Sequence, residues 1–386
     1  MSSYDVIVVG AGIQGSSTAY TLAKRGQKTL LIEQFDRLHT RGSSHGASRI
    51  TRMAYNRPYY VAMMKDAFPM WESIERESGK KLFTPTGLLT EFHKPKGGGM
   101  HQVEASLRDQ GIPMELLCAD RLRKRYPQMR FDDDMQGVVE QFAGVLRADL
   151  ARETIQDLFI RHGGIIKTNE SVIDIEPGSM IRVRTQKGDY FTQKLVLTVG
   201  PWASRVLKPL GLDLPLQVTR IRVLYWKTDG SADYSVDSFP NITSYDVNAD
   251  HCYYGLPVLE YPGLFKLCCH SGTKIESPDE RDMIADERDL EFMKNLVRTR
   301  FKGLSPVPVI IENCMYTKTP DEDYILDSHP IHNNIIIGAG FSGHGFKMGP
   351  VVGSILADLA TNRTPKYNMK PFRINRFFPH TIKSSL

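Results

Sequence analysis

The sequence predicts a mixed α/β fold, α+β overall, in which a parallel-sheet domain built from three separate stretches is interrupted by an inserted antiparallel-sheet domain. Three observations predict it. A short β-branched run, Val6-Ile7-Val8-Val9, leads straight into Gly10-Ala11-Gly12-Ile13-Gln14-Gly15. A second glycine-rich segment, Gly338-Ala339-Gly340-Phe341-Ser342-Gly343-His344-Gly345-Phe346-Lys347, lies near the other end. Between them, runs rich in Val, Ile, Tyr and Leu have strand character.

The N-terminal unit is complete in each part. Gly10 suits a tight strand-to-helix turn, Gly12 lets the backbone approach a pyrophosphate, and Gly15 allows close helix packing. A helix reads from Ser16 to Arg25, with Ala19, Leu22 and Ala23 on one face and Gly26 as its stop. The second strand, Thr29-Leu30-Leu31-Ile32, ends in Glu33, 18 residues after Gly15, where an acid accepts hydrogen bonds from ribose hydroxyls. Strand, helix and acid together make a Rossmann-like dinucleotide-binding unit.

Further along, Arg41 to Arg52 is a small-residue loop studded with cations, of the kind that carries function. A helical pattern follows from Met63 to Ser78, with a kink or break expected at Pro69. Lys94-Pro95-Lys96-Gly97-Gly98-Gly99 reads as a turn and Asp132-Asp133-Asp134 as a solvated loop. Asp149 to His162 is an amphipathic helix stopped by Gly163-Gly164, and Ile165 to Ile175 is strand-like. The strand Lys194 to Val199 runs into Gly200-Pro201-Trp202, again a form that sets backbone beside a ligand. Leu216 to Thr228, Cys252 to Leu256 and Leu264 to His270 read as strands of an antiparallel sheet. Asn334 to Gly338 is a strand entering the second glycine loop, and Lys347 to Ala360 a helix. The expected division is a discontinuous cofactor domain of residues 1–85, 145–215 and 315–386, with residues 86–144 and 216–314 forming the substrate domain.

Composition sets the outer limits. With 386 residues, 41% hydrophobic and 24% charged, the chain has the make-up of a two-domain soluble enzyme. The net charge of +5, from 49 basic and 44 acidic residues, is spread without a basic run, which argues against a nucleic-acid partner and mildly favours an acidic small substrate. No apolar run has the length of a membrane span, and a first strand starting at about Tyr4 leaves no room for a cleavable leader. Five cysteines are too few, odd in number and wrongly spaced for a disulfide framework or a metal site. Cys268-Cys269, in an apolar strand, reads as core filler.

One glycine loop serves any dinucleotide enzyme. The two together, with Cys314-Met315-Tyr316 just upstream of the second, point to one elongated cofactor held at its phosphates by the first loop and at its reactive ring by the last, namely FAD. A nicotinamide-dependent dehydrogenase, needing only the first loop, and a flavoprotein dehydrogenase passing electrons to a partner protein are the alternatives.

The cationic loop 41–52, Gly200-Pro201-Trp202, Cys314-Met315-Tyr316-Thr317 with Thr319-Pro320-Asp321-Glu322, and the loop 338–347 resemble the monomeric sarcosine oxidase family over essentially the whole chain, in particular its animal peroxisomal sarcosine oxidase and L-pipecolate oxidase branch. The resemblance implies flavin-dependent oxidation of a secondary amino acid (sarcosine, L-pipecolate or L-proline) to the imine, with dioxygen reduced to hydrogen peroxide, in a monomeric enzyme. It places Arg52 and Lys347 on the substrate carboxylate, which needs fixed cations once water is excluded. It sets His45 and Arg49 at the flavin ring, where positive charge stabilises the developing anion, and Lys266, inside Leu264-Phe265-Lys266-Leu267, where dioxygen is activated. His270 and Tyr316 match substrate-side positions, and Cys314 the thioether link to FAD. Gly10, Gly12, Ile13, Gly15, Glu33, Ser44, His45, Val172, Gly200, Gly340, Gly343, Gly345 and Lys347 are the remaining cofactor contacts. The terminal Ser384-Ser385-Leu386 resembles the peroxisomal tripeptide Ser-Lys-Leu with serine at the basic position, so a peroxisomal location through the import receptor is expected, with the cytoplasm as the alternative.

Overall fold

The computed structural model describes residues 3–93, 98–245, 252–283, 285 and 287–378. The strand Ser3–Val9 lies inside an eight-stranded sheet, paired in parallel with Gly188–Leu197 on one side and Thr29–Ile32 on the other. Ile165–Lys167 extends the sheet beyond Thr29–Ile32, and Ile335–Ala339 pairs in parallel with Gly188–Leu197. Val172–Glu176, Ile181–Thr185 and Ile325–Ser328 join in antiparallel pairs. Parallel strands must be covered on both faces, and Ile7, Val8, Leu30 and Leu31 are fully buried. One cover is the helix Ile13–Lys24, packed against Gly349–Ala360 and Ala148–Arg161. A β-carbon at Gly353 would lie 2.6 Å from Ser17, so the first two helices approach backbone to backbone.

The second sheet has nine strands. Gln217–Thr228 pairs antiparallel with Leu304–Lys318 along one side, and with Leu264–Cys269 and Thr273–Ile275 along the other. Tyr253–Leu256, Asn241–Tyr245, Leu88–His93, Met135–Glu140 and Glu115–Cys118 follow in order. Asn241–Tyr245 and Leu88–His93 run parallel, so this sheet is mixed where a purely antiparallel one was expected. The helix Arg288–Arg300 packs on the strands Leu304–Lys318 and Leu264–Cys269 and adds Met293 and Val297 to the core that holds Trp226 and Phe265. A small antiparallel sheet of Ser48–Thr51, Gly144–Arg147 and Phe83–Pro85 anchors the cationic loop.

Several local expectations change. The helix Pro58–Ser78 starts five residues early, with Pro at its first turn, and passes unbroken through Pro69. Its buried face of Tyr60, Met64, Ala67, Trp71 and Ile74 continues on both sides of the exposed Pro69, so packing outweighs a local cost of about 3 kcal/mol. The 165–175 run is two strands, Ile165–Lys167 and Val172–Glu176, separated around Asn169, whose φ is +52°. In the expected turn at Lys94–Gly99, residues 94–97 lie outside the described residues and Gly98–Asp109 is a helix. Among the described residues no helix is long and apolar enough to cross a membrane.

Candidate active site

A cavity of about 790 Å³ reaches from the first sheet to the second and is walled by both glycine loops. At Gly10 φ is +95° and a β-carbon would meet Thr198 O at 2.5 Å; a β-carbon at Gly15 would lie 1.9 Å from Gly10 O. The turn therefore admits only glycine at either position, and the first amides of the helix Ile13–Lys24 open at the cavity wall, a favourable place for a phosphate. Ile13 N–H donates to Ser44 Oγ at 3.0 Å, joining the cationic loop to that helix start. Glu33 accepts from Ala11 N–H at 2.8 Å and Phe35 N–H at 3.1 Å. Burial raises its carboxyl pKa against those bonds, Arg152 and a further backbone bond from Gln34. The Gln14 amide donates to Gly345 O at 2.9 Å and ties the two loops together, a contact that no local pattern announces.

Arg49 is enclosed in its own loop, donating to the carbonyls of Ser48 at 2.7 Å, His45 at 2.6 Å and Ser43 at 3.1 Å. Its guanidinium stands 3.9 Å from Cys314 Sγ, and Cys314 is buried opposite Ile221 in the second sheet. The His45 ring nitrogens face Gly42 O at 2.6 Å and Asn313 O at 3.0 Å. Burial and the Arg49 charge push this imidazole down to about 4, so it is uncharged at neutral pH. Of the two, Arg49 supplies the positive charge beside Cys314.

Arg52 and Lys347, 295 positions apart, converge on Tyr55: the guanidinium lies 4.3 Å and the ammonium nitrogen 5.8 Å from its ring centroid. Lys347 sits in the turn Phe346–Met348, with its Nζ donating to His344 O at 3.3 Å and its carbonyl accepting from Trp71 Nε1 at 2.8 Å. Burial, then Arg52 and Arg49, hold its pKa well below the ordinary lysine value. Behind them Glu140 is 1% exposed, accepts from Met53 N–H at 2.7 Å, and has its pKa raised to about 7 by burial. Glu140 Oε2 and Tyr55 Oη have no hydrogen-bond partner among the described residues. Sequence reasoning missed both: Tyr55 could have been suspected from its place three residues after Arg52, whereas Glu140 ends an ordinary apolar strand.

On the second sheet His270 and Tyr316 lie with ring centroids 5.3 Å apart. Burial and the charges of Lys318, Arg52 and Lys347 push His270 down to about 3, so the ring is neutral and a poor base. At Gly343 φ is +81° and a β-carbon would lie 2.7 Å from the Tyr316 ring, which brings the second glycine loop directly onto that tyrosine. Lys266, 4% exposed, donates to Glu260 Oε1 at 2.9 Å and Ser48 Oγ at 3.1 Å. Val172, Gly200, Gly340 and Gly345 also line the cavity, while Gly15 and His45 stand outside its wall.

Two glycine loops on one buried cavity, an acid closing the second strand, and cations gathered where the loops meet define a flavin-dinucleotide oxidoreductase. The chain belongs to the family of FAD dependent oxidoreductases, which it matches over residues 5–359. It is 46% identical over 378 residues to the peroxisomal sarcosine oxidase of Mus musculus, covering 97% of this chain and 96% of that protein. It is 36% identical over 380 residues to the monomeric sarcosine oxidase of Bacillus sp. (strain B-0618), with 97% and 96% covered. The open form of NikD, an unusual amino acid oxidase essential for nikkomycin biosynthesis, shares the fold with a TM-score of 0.85 at 22% identity, covering 97% of this chain and 98% of that one. Glycine oxidase from Geobacillus kaustophilus does so at 0.79 and 17%, with 97% and 99% covered. The nicotinamide alternative gives way to FAD.

Proposed function

We propose that this chain oxidises a secondary amino acid, of which sarcosine, L-pipecolate and L-proline are the candidates, to the imine, with dioxygen taking two electrons and two protons to become hydrogen peroxide. The observation that carries the reading is the convergence of Arg52 and Lys347 on Tyr55 in the wall of the FAD cavity, a built site for a small carboxylate. The sarcosine oxidases among its relatives support the same substrate class.

FAD, when bound, supplies the acceptor for a hydride equivalent from the carbon next to nitrogen. Gly10, Gly12, Ile13, Glu33, Ser44, Val172, Gly200, Gly340, Gly343 and Gly345, all in the cavity wall, would hold it. Cys314, whose Sγ lies 3.9 Å from the Arg49 guanidinium, is the site of a thioether link to FAD. Arg52 and Lys347 fix the substrate carboxylate, and their charge disfavours an ammonium nearby, so the amine presents its lone pair. Neutral His270 and Tyr316 shape the substrate side without acting as a base. Lys266 is the cation on the dioxygen side. A monomeric enzyme in the peroxisome completes the reading; the terminal Ser384-Ser385-Leu386 lies outside the described residues.

The test is anaerobic mixing of the yellow holoprotein with each of the three amino acids, followed by admission of oxygen. Bleaching by at least one, and release of one peroxide per imine formed, are expected. Absence of bleaching by all three rejects the substrate class, and bleaching without peroxide favours electron transfer to a partner protein.

A further inference from the structure

We propose that Glu260 is a positioning residue of this site, which holds the Lys266 side chain and aims its cation at the cavity. The inference rests on the reading of Lys266 as the dioxygen-side cation. Lys266 and Ser48 line the cavity; Glu260 and Tyr225 stand behind them. Glu260 comes from the turn between the strands Tyr253–Leu256 and Leu264–Cys269, and both of its oxygens are used. Oε1 accepts from Lys266 Nζ at 2.9 Å and from Ser48 Oγ, and Oε2 accepts from Tyr225 Oη at 2.6 Å. Lys266 Nζ also donates to Ser48 Oγ at 3.1 Å and lies 5.3 Å from the Tyr225 ring centroid. Three separate strands, Ser48–Thr51, Gln217–Thr228 and Leu264–Cys269, thus meet on one carboxylate.

The pair is nearly closed to water, with side-chain exposures of 5% for Lys266 and 7% for Glu260. An ammonium at such a place sheds its proton unless an anion accompanies it. Burial opposes ionisation of Glu260 as well, but Lys266 followed by Ser48 and Tyr225 brings its carboxyl below the ordinary value. The other groups facing the pair do not replace it. Arg49 adds positive charge, the Cys268 thiol two residues along the Lys266 strand is pushed up to about 11, and Tyr261 and Glu312 lie toward the outer side of Tyr225. Glu260 is therefore the anion that directly answers Lys266. An ion pair kept only for stability gains little over apolar packing, whereas this one presents its cation to the cavity.

The experiment measures reoxidation of substrate-reduced holoenzyme by dioxygen in stopped flow across pH, with anaerobic reduction followed separately. Glu260→Gln is expected to slow reoxidation by about 10-fold or more and to move the alkaline limb of its profile to lower pH. Anaerobic reduction should change less, and Glu260→Asp should recover much of the loss. Lys266→Met sets the slow limit, and adding Glu260→Gln to it should slow nothing further. In denaturant titrations of the same holoproteins Glu260→Gln should lower the midpoint and the double variant should regain part of it, as a coupled pair requires. Reoxidation by Glu260→Gln at the wild-type rate and pH profile, with Lys266→Met slow, overturns the role of Glu260 and leaves that of Lys266 standing. Lys266→Met as fast as wild type overturns the reading beneath it, and the proposal with it. If Glu260→Gln does not fold, Tyr225→Phe carries the test: removal of one donor to the carboxylate should slow reoxidation about 2- to 5-fold, and an unchanged rate overturns the proposal.

Discussion

Replacement of Arg52 by Met removes half of the proposed carboxylate clamp while keeping much of the side chain's bulk. The Arg52 guanidinium and the Lys347 Nζ stand 4.3 Å and 5.8 Å from the Tyr55 ring centroid, and a carboxylate paired with both would contact each at about 4 Å. At an effective dielectric constant of about 20 each contact is worth about 4 kcal/mol, and water entering the space left by the side chain returns part of it. The expected loss is about 2–4 kcal/mol, or about 30- to 1,000-fold in substrate affinity. Lys347→Met should fall in the same range but lose less as the pH rises, because burial, then Arg52 and Arg49, hold the Lys347 pKa below the ordinary lysine value. Steady-state kinetics with sarcosine and with its uncharged amide separate this from general damage. The wild type should prefer the acid, and both variants should lose most of that preference while binding FAD normally. An Arg52→Met enzyme with unaltered saturation by sarcosine, or with the acid-over-amide preference intact, refutes the clamp.

Denatured in acid, wild-type protein should keep its yellow colour with the flavin mass on the peptide containing Cys314, whereas Cys314→Ala should bind FAD reversibly and turn over slowly; flavin mass on Cys118, Cys252, Cys268 or Cys269 would displace the assignment. Glu140 titrates at about 7 in the folded protein against an ordinary 4.5, so its stabilising share is complete below pH 4.5 and is lost as the pH rises through 7. That gap is worth about 3 kcal/mol, and denaturation midpoints should show the wild type losing roughly that much relative to Glu140→Gln between pH 4.5 and 8; parallel pH curves would remove Glu140 from the charge balance. A reporter carrying the last dozen residues should enter peroxisomes, and diffuse cytosolic signal would deny the tripeptide an autonomous role.

What the sequence made legible was local. The Val6–Gly15 turn, its helix and Glu33 follow from residues within a few positions of one another, and the structure adds only that the helix begins at Ile13 and encloses Gly15. The strand Leu304–Lys318, which carries Cys314 and Tyr316, escaped notice as a strand because Pro306 and Pro308 interrupt its apolar run. Those prolines are tolerated because, among the described residues, the strand pairs on one side only, with Gln217–Thr228. Arg52 and Lys347 were singled out through the motifs around them, but their meeting over Tyr55 depends on the packing of the helices Ile13–Lys24 and Gly349–Ala360 and on the Gln14–Gly345 bond. Glu140 and Glu260 left no local trace, since their meaning lies in cations contributed by other strands.

Those two acids give the site its electrostatic logic. Arg49, Arg52, Lys266 and Lys347 surround the cavity, and burial makes each such charge costly unless an anion answers it. Glu260 answers Lys266 directly, while the Glu140 carboxyl is held near neutrality and Lys347 is depressed, so the clamp end of the cavity is only partly compensated before substrate arrives. A carboxylate completes that balance and a second positive charge does not. On the proposed reading the cavity selects an amino acid by its acid group and discourages the protonated form of its amine, with His270 too weak a base to take the proton. The neutral amine is the form whose lone pair assists hydride departure, so the charges that bind the substrate also prepare it for oxidation.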